Sequence, residues 1–256
     1  MANYHMEIKN LNRADSSLGQ LLNYVSGLTI RDIYLEKSYY KKRSDVLMTR
    51  IYLPKGAPQY LSDLQRLCDE IHKAEKRYDA RTARSFICSL PNELPFDEQV
   101  KIVSEFIEGN FTPHGIVAIA ATHEGKSKTD SSRDNPHVHI IITTRKVDEK
   151  GFSKKKYREL NNRDYVYRWR KEWELIINRA YRRNKVPKRV SCESLEVQGK
   201  ERIEPTIHLT RTDHEKEKRG IRTEAGDRKR EIKSHNDRVL AEKEKGIHRG
   251  RVILFR

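Results

Sequence analysis

The chain has 256 residues, of which 36% are hydrophobic and 35% charged, with a formal net charge of +16. The apolar share is lean, but periodic apolar segments exclude a disordered polymer. A charge this large points to a polyanionic partner, because Lys and Arg gain affinity by releasing counterions from phosphates. The charge is not confined to the ends: residues 141–190 hold 17 Lys/Arg against 6 Asp/Glu, a net of +11. Cys68, Cys88 and Cys192 are odd in number and widely spaced, with no C-x-x-C pair. That excludes a disulfide framework and a zinc ribbon and suits a reducing cytosol. The opening MANYHMEIKN reads as neither a signal peptide nor a membrane segment, so a cytoplasmic protein with no membrane partner is expected.

In chain order, YHMEIKNL alternates as a strand with Tyr4, Met6 and Ile8 on one face. SSLGQLLNYVSG then predicts a helix capped by Ser16 or Ser17 and closed by Gly27, with Leu18, Leu21, Leu22 and Val25 as its apolar stripe and Tyr24 beside it. Residues 31–60 read as irregular and rich in Tyr and Lys. An amphipathic helix is expected over 61–78, with Leu64, Leu67, Cys68 and Ile71 inward, then a short strand over 85–90 stopped by Pro91. A further helix covers 96–111, with Val100, Val103, Phe106 and Ile107 aligned. Strands follow at 115–123 and 137–145, and a helix at 162–184 buries Val166, Trp169, Trp173, Ile176, Ile177 and Ala180. Elements mixed without a regular βαβ rhythm, with a hairpin in the middle, predict an α+β fold: an antiparallel sheet flanked by helices. The expected organisation is a catalytic domain over 1–200 and a charge-rich extension over 201–256 that packs on it or leads into a linker.

The stretch NPHVHIIITT carries the chemistry. Alternate strand residues face the same way, so His137 and His139 share a face. If 115–123 pairs antiparallel with 137–145, His123 reaches the same mouth. Three converging imidazoles make a divalent-metal set with positions left open for substrate, and they suit Mn, Zn, Fe or Ni, while chemistry on phosphate oxygens often uses Mg or Mn. In so basic a chain the expected substrate is a phosphodiester. Tyr24 is a candidate nucleophile, because a phenol of pKa ~10 is a better leaving group than an alcohol and its phosphodiester can be handed back to a DNA hydroxyl. Tyr34, Tyr39 and Tyr40 compete on composition alone.

These blocks together resemble the MobA/MobL family of plasmid mobilization relaxases, within the HUH class of single-strand DNA endonucleases. The resemblance rests on YHMEIKNLNR followed by SSLGQLLNYVSG, on LPKGAP, on AEKRYDARTARSFICSLPNELPFDEQ, on AATHEG and DNPHVHIIITTR, and on WRKEWELIINRAY, SLEVQGKERIEPTIHLT and RGIRTEAGDRKREI. It implies that Tyr24 nicks a plasmid transfer origin in single-stranded or locally melted DNA, leaving a 5′-phosphotyrosyl strand that is later religated. It also implies a divalent ion on His123, His137 and His139, Mn or Mg first and Zn or Ni as alternatives. Accessory mobilization proteins and a type IV secretion coupling protein are the further partners it implies. One departure stands out: family members commonly place a glutamate just before the LP of the central strand, where this chain has Ser85 and no acid. Glu124 or Asp134 is then the substitute, or the site is purely histidine.

Phosphates call for Lys and Arg, and unpaired bases call for aromatic faces. The candidate DNA contacts are Arg31, Lys126, Lys128, Tyr157, Arg158, Tyr165, Arg168 and Lys171, with the SYYKKR stretch at 38–43 lining the strand path. Two other readings compete. One is a rolling-circle replication initiator; the other is a non-catalytic basic DNA-binding module whose histidines hold a structural ion.

Overall fold

The computed structural model describes residues 4–126, 134–200 and 202–253. A five-stranded antiparallel sheet organises the first unit, Met1–Cys192, in the order β1-β5-β7-β6-β4. Its strands are β1 (Met6–Asn12), β4 (Val46–Tyr52), β5 (Arg81–Ser89), β6 (Ala118–His123) and β7 (His137–Thr143). Two ribbons, β2 (Ile30–Asp32) with β3 (Lys37–Tyr39) and β8 (Arg145–Asp148) with β9 (Gly151–Lys156), stand apart from it. The α+β expectation holds, and β6 and β7 form the expected antiparallel pair.

Helices cover both faces because the central strands are apolar on both sides. Val138, Ile140 and Ile142 of β7 face α3 (Phe96–Asn110) and α4 (Arg163–Arg183), in a core with Phe86, Phe106, Phe111, Trp169 and Trp173. The rings meet edge-on, Phe106 against Trp173 at 5.1 Å and Phe86 against Trp169 at 5.2 Å between centroids. Each fully buried side chain of this size stabilises by about 1.5–3 kcal/mol. Ile141 points the other way, into a core with Leu18, Leu22 and Val25 of α1 (Leu18–Ser26) and Leu64, Leu67 and Ile71 of α2 (Leu64–Ala74). His137 and His139, at odd positions like Ile141, lie on this α1 side.

Helix α1 is fixed at both ends. The Ser17 hydroxyl accepts from the Gln20 amide at 3.0 Å, and Gly27, at φ 69°, donates its amide to the Asn23 carbonyl. Behind the first turn, Asp32 is fully buried and accepts from the Ser17 hydroxyl at 2.7 Å and the Gly19 amide at 3.2 Å. Gly19 is required there: a Cβ would sit 2.7 Å from the Asp32 Cβ. Asp32 Oδ1 also lies 3.2 Å from His72 Nε2 on α2, so one carboxylate links the two helices on this face.

Several boundaries differ from expectation. The stretch 31–60 is not wholly irregular: it holds β2, β3 and β4. Strand β4 is an edge strand whose Leu47 and Arg50 remain exposed, so VLMTRIY lacks the clean alternation that marks a half-buried strand. Helix α2 starts at Leu64 because Asp63 caps it, accepting from the Arg66 amide at 2.8 Å. On α3 the buried stripe is Ile102, Val103, Phe106 and Ile107, with Val100 only half-buried. The second unit, Glu193–Arg256, contains α5 (Arg211–Lys218) and α6 (Glu224–Ile253). Within it Asn236 clasps the backbone of Glu204, accepting from its amide at 2.9 Å and donating to its carbonyl at 2.8 Å. Among the described residues no helix is long and apolar enough to cross a membrane.

Candidate active site

Strand register brings the histidines together. His123, the last residue of β6, stands directly opposite His137, the first of β7. His139 is two residues along on the same face. The ring centroids lie 4.7 Å apart for His123 and His139, 5.1 Å for His123 and His137, and 5.2 Å for His137 and His139. One ligand nitrogen from each falls within 4.8 Å of the others, so the trio could hold a metal ion.

Hydrogen bonding decides which nitrogens are free. His123 Nε2–H donates to the Val25 carbonyl at 2.8 Å, leaving Nδ1 buried and without a partner. His137 Nδ1–H donates to the Asn135 carbonyl at 2.8 Å, which leaves Nε2 as its lone-pair nitrogen. His139 Nε2 is also buried with no partner. Orphaned buried nitrogens are rare unless an ion or water completes them, so this donor set fits a divalent metal. Burial, aided by the other two imidazoles, pushes His139 down to about 3, and burial also lowers His123. Both rings are therefore neutral near pH 7, the form that coordinates a metal.

Tyr24 projects from α1 over this cluster. Its ring centroid is 5.7 Å from that of His139 and 6.3 Å from that of His123, and the residue is 45% exposed. A side chain on the flank of an apolar stripe stays open to solvent while touching the buried histidines. Tyr34, one of the competing tyrosines, instead stacks on His72 at 6.1 Å.

Arg43 completes the constellation. Its guanidinium lies 4.4 Å over the Tyr24 ring and also donates to the Tyr24 carbonyl at 3.3 Å. It is clamped by Asp45, with Nε to Oδ1 at 2.8 Å and a second bond of 2.5 Å. Asp45 precedes β4, whose Val46 pairs with His123, and its charge acts on both His123 and His139. Arg43 falls within the SYYKKR stretch expected to line the strand path, whereas Asp45 has no sequence signal, because nothing local reveals that β4 runs beside β6.

The other expected residues are spread out. Glu124 pairs with Lys126 at 2.5 Å just beyond His123, and the Asp134 carbonyl accepts from Asn92 at 2.6 Å. Neither acid joins the cluster of possible ligands, which among the described residues is histidine alone. Glu75, the C-cap of α2, is bound to Arg145 at 2.8 Å and Lys156 at 3.1 Å. Arg31 is exposed on β2, and Lys128 lies outside the described residues. Arg168 sits 5.2 Å over the Tyr165 ring, Tyr165 packs on Trp169, and Lys171 pairs with Glu174 at 3.0 Å. These three belong to α4, and Tyr157 packs against the same core, on the face away from the histidines. Arg158 is exposed beside Tyr157.

The chain has relatives among known proteins. The MobA/MobL family model matches residues 21–219, and the chain belongs to that family. A probable mobilization protein MobA of Bifidobacterium longum is 27% identical over 94% of this chain and 49% of its own length. A conjugal transfer protein TraA of Rhizobium radiobacter is 25% identical over 72% of this chain and 19% of its own. The chain thus spans about half the length, or less, of these curated relatives. A solved structure described as the molecular basis of vancomycin resistance transfer in Staphylococcus aureus aligns with a TM-score of 0.66 at 26% identity, covering 75% of this chain and 98% of the other.

Proposed function

We propose that this chain is a DNA relaxase that nicks plasmid DNA at its transfer origin and reseals it after transfer. The observation that carries the reading is the exposed Tyr24 phenol, held over three histidines with unfilled ring nitrogens. Tyr24 Oη attacks a backbone phosphorus, a Tyr–O–P bond forms, and the bond from phosphorus to the 3′ oxygen breaks. The phenol gives up its proton and the departing 3′ oxygen takes one up. The strand is then a 5′-phosphotyrosyl adduct, and the reverse attack by a 3′ hydroxyl releases the enzyme, with no water consumed.

His123, His137 and His139 would hold a divalent ion, Mn or Mg first and Zn or Ni as alternatives; when bound, it polarises the phosphate and offsets charge in the transition state. The Val25 and Asn135 carbonyls orient two of the rings. Arg43, fixed by Asp45, positions the phenol and adds positive charge next to the attacking oxygen. The single-stranded or locally melted origin is the DNA partner, with accessory mobilization proteins and a type IV secretion coupling protein completing the transfer machinery. The catalytic work falls within the first unit, and the histidine–tyrosine arrangement favours nicking over a purely structural ion. The test is a supercoiled form of the element that encodes this chain, incubated with protein and metal and run with SDS and protease. Conversion to open circles with a protein-linked 5′ end supports the reading; DNA binding without nicking at any divalent ion sinks it.

A further inference from the structure

The sheet has a second end. Strand β7 runs from His137 to Thr143, and at ~3.3 Å per residue its far end is ~20 Å from the first histidine. At that end, on the α4 face, a cavity of about 260 Å³ is lined by Arg81, Arg84, Lys156, Tyr157, Arg158 and Asn161.

Its cations are unusual in what they touch. Arg84 is only 9% exposed, yet every partner it has is neutral. Its Nε donates to Asn10 Oδ1 at 3.1 Å, one terminal nitrogen to the Leu160 carbonyl, and the other to Asn161 Oδ1 at 3.1 Å. Arg81 donates to that same Asn161 oxygen at 2.6 Å, so two guanidiniums converge on one amide, and Arg81 Nε is buried with no partner. Burial and the neighbouring Arg81 charge together lower Arg84. Among the described residues no carboxylate pairs with Arg81, Arg84 or Arg158. Asp79, which also lines the cavity, is taken by Arg77 through two bonds of 2.9 Å, and Lys156 by Glu75 at 3.1 Å.

Two guanidiniums on one amide, with Arg84 buried and Arg81 half-buried, are unfavourable without a counter-ion, and the missing partner is an anion. The geometry points to a second ligand site, one that takes a phosphate group on the forks of Arg81 and Arg84 with Arg158 at the mouth. A phosphate fits better than a carboxylate, because it brings up to about two charges and three acceptor oxygens to a cluster of planar donors. The volume, about 260 Å³, falls just below the ~300–1,000 Å³ common for sites of drug-sized ligands and leaves room for one phosphate group. The site lies at the opposite end of β7 from the histidines and on the opposite face of the sheet, so it does not hold the phosphate being cut. Its phosphate comes either from the DNA backbone wrapped round the sheet or from a free phosphate-bearing molecule.

The probe is inorganic phosphate, titrated calorimetrically at constant ionic strength into the full chain and into Arg81→Gln and Arg158→Gln. Arg158 is exposed and its loss leaves the core intact, so that variant folds even if changes deeper in the cavity do not. Phosphate affinity should fall at least tenfold in Arg81→Gln and several-fold in Arg158→Gln, and persist in His137→Ala. A second arm measures binding of a single-stranded oligonucleotide across salt concentrations. If the backbone is the occupant, each variant lowers the slope of log K against log salt by ~0.7 and DNA displaces phosphate. If a free molecule is the occupant, the slope stays and phosphate binds alongside DNA. The site is refuted if phosphate affinity and salt slope are both unchanged in the two arginine variants, or if phosphate binding disappears only in His137→Ala.

Discussion

The Nε2 of His123 donates to the carbonyl of Val25, the residue immediately after Tyr24, at 2.8 Å. A prospective metal ligand and the helix of the prospective nucleophile are thus tied by one hydrogen bond. That bond fixes the tautomer of His123, turns Nδ1 toward the other histidines, and sets the height of α1 above the sheet. Ring orientation and phenol position are therefore coupled.

Tyr24→Phe should abolish the covalent protein–DNA adduct on denaturing gels while leaving DNA affinity within about twofold. The ring stays over His139 and only the phenolic oxygen is lost. Persistent adduct formation would transfer the nucleophile to another tyrosine.

His139→Ala removes a candidate ligand whose Nε2 has no hydrogen-bond partner. Metal affinity, read by titration with Mn²⁺ or Ni²⁺, should drop by more than the roughly 10–100-fold typical of losing an outer hydrogen-bond partner. Undiminished binding would mean that the ion sits elsewhere.

Arg43→Gln loses both the clamp to Asp45 and the cation over the Tyr24 ring. The adduct should form roughly 10²-fold more slowly, as when one preorganised charge stabiliser is removed. Arg43→Lys keeps the charge without the planar fork and should recover only part of the rate. Metal affinity should be nearly unchanged in both, which separates this role from ligand positioning.

Gly19→Ala drives a methyl into Asp32, since its Cβ would lie 2.7 Å from the Asp32 Cβ. Overpacking of this kind costs about 1–3 kcal/mol. The melting temperature should fall by several degrees, and adduct formation should fall with it, because α1 must shift to make room. A variant as stable and as active as the parent would show that α1 is not held by this contact.

Acid should destabilise the first unit through Asp32 and His72. Burial alone would raise the Asp32 carboxyl, but hydrogen bonds from Ser17, Leu35 and Gly19 and the nearby His72 hold it below its ordinary value. Its stabilisation is thus present above about pH 4 and is lost as pH falls through the folded value. Burial also lowers His72, against the pull of Asp32, so the unfolded chain takes up that proton first and stability begins to decline below about pH 6.5. Asp32→Asn should cost about 1.5–3 kcal/mol at pH 7, because the hydrogen bonds from Ser17 and Gly19 lose their charged acceptor. Its melting temperature should vary less with acid below pH ~4 than the parent's. Parallel curves would remove Asp32 from this account.

Local pattern was enough for much of this protein. Alternation in HVHIIIT put His137 and His139 on one face, helical spacing buried Trp169 and Trp173, and Ser17 with Gly27 bounded the tyrosine helix. These are short-range signals, because strand and helix periods are set by the backbone itself. Strand β4 carries no such signal, since an edge strand with exposed Leu47 and Arg50 shows no clean period, and Asp45, just before it, is equally silent in the sequence. Only the tertiary structure decided what stands opposite what. The β6–β7 register set His123 against His137, the packing of α1 brought Tyr24 to His139, and the order β1-β5-β7-β6-β4 placed Arg43 and Asp45 beside them. It also separated the α4 cations from the histidines by a full sheet thickness and brought Arg81 and Arg84 to a shared cavity. Residues far apart in sequence meet only through such pairings, and no single segment's composition encodes them.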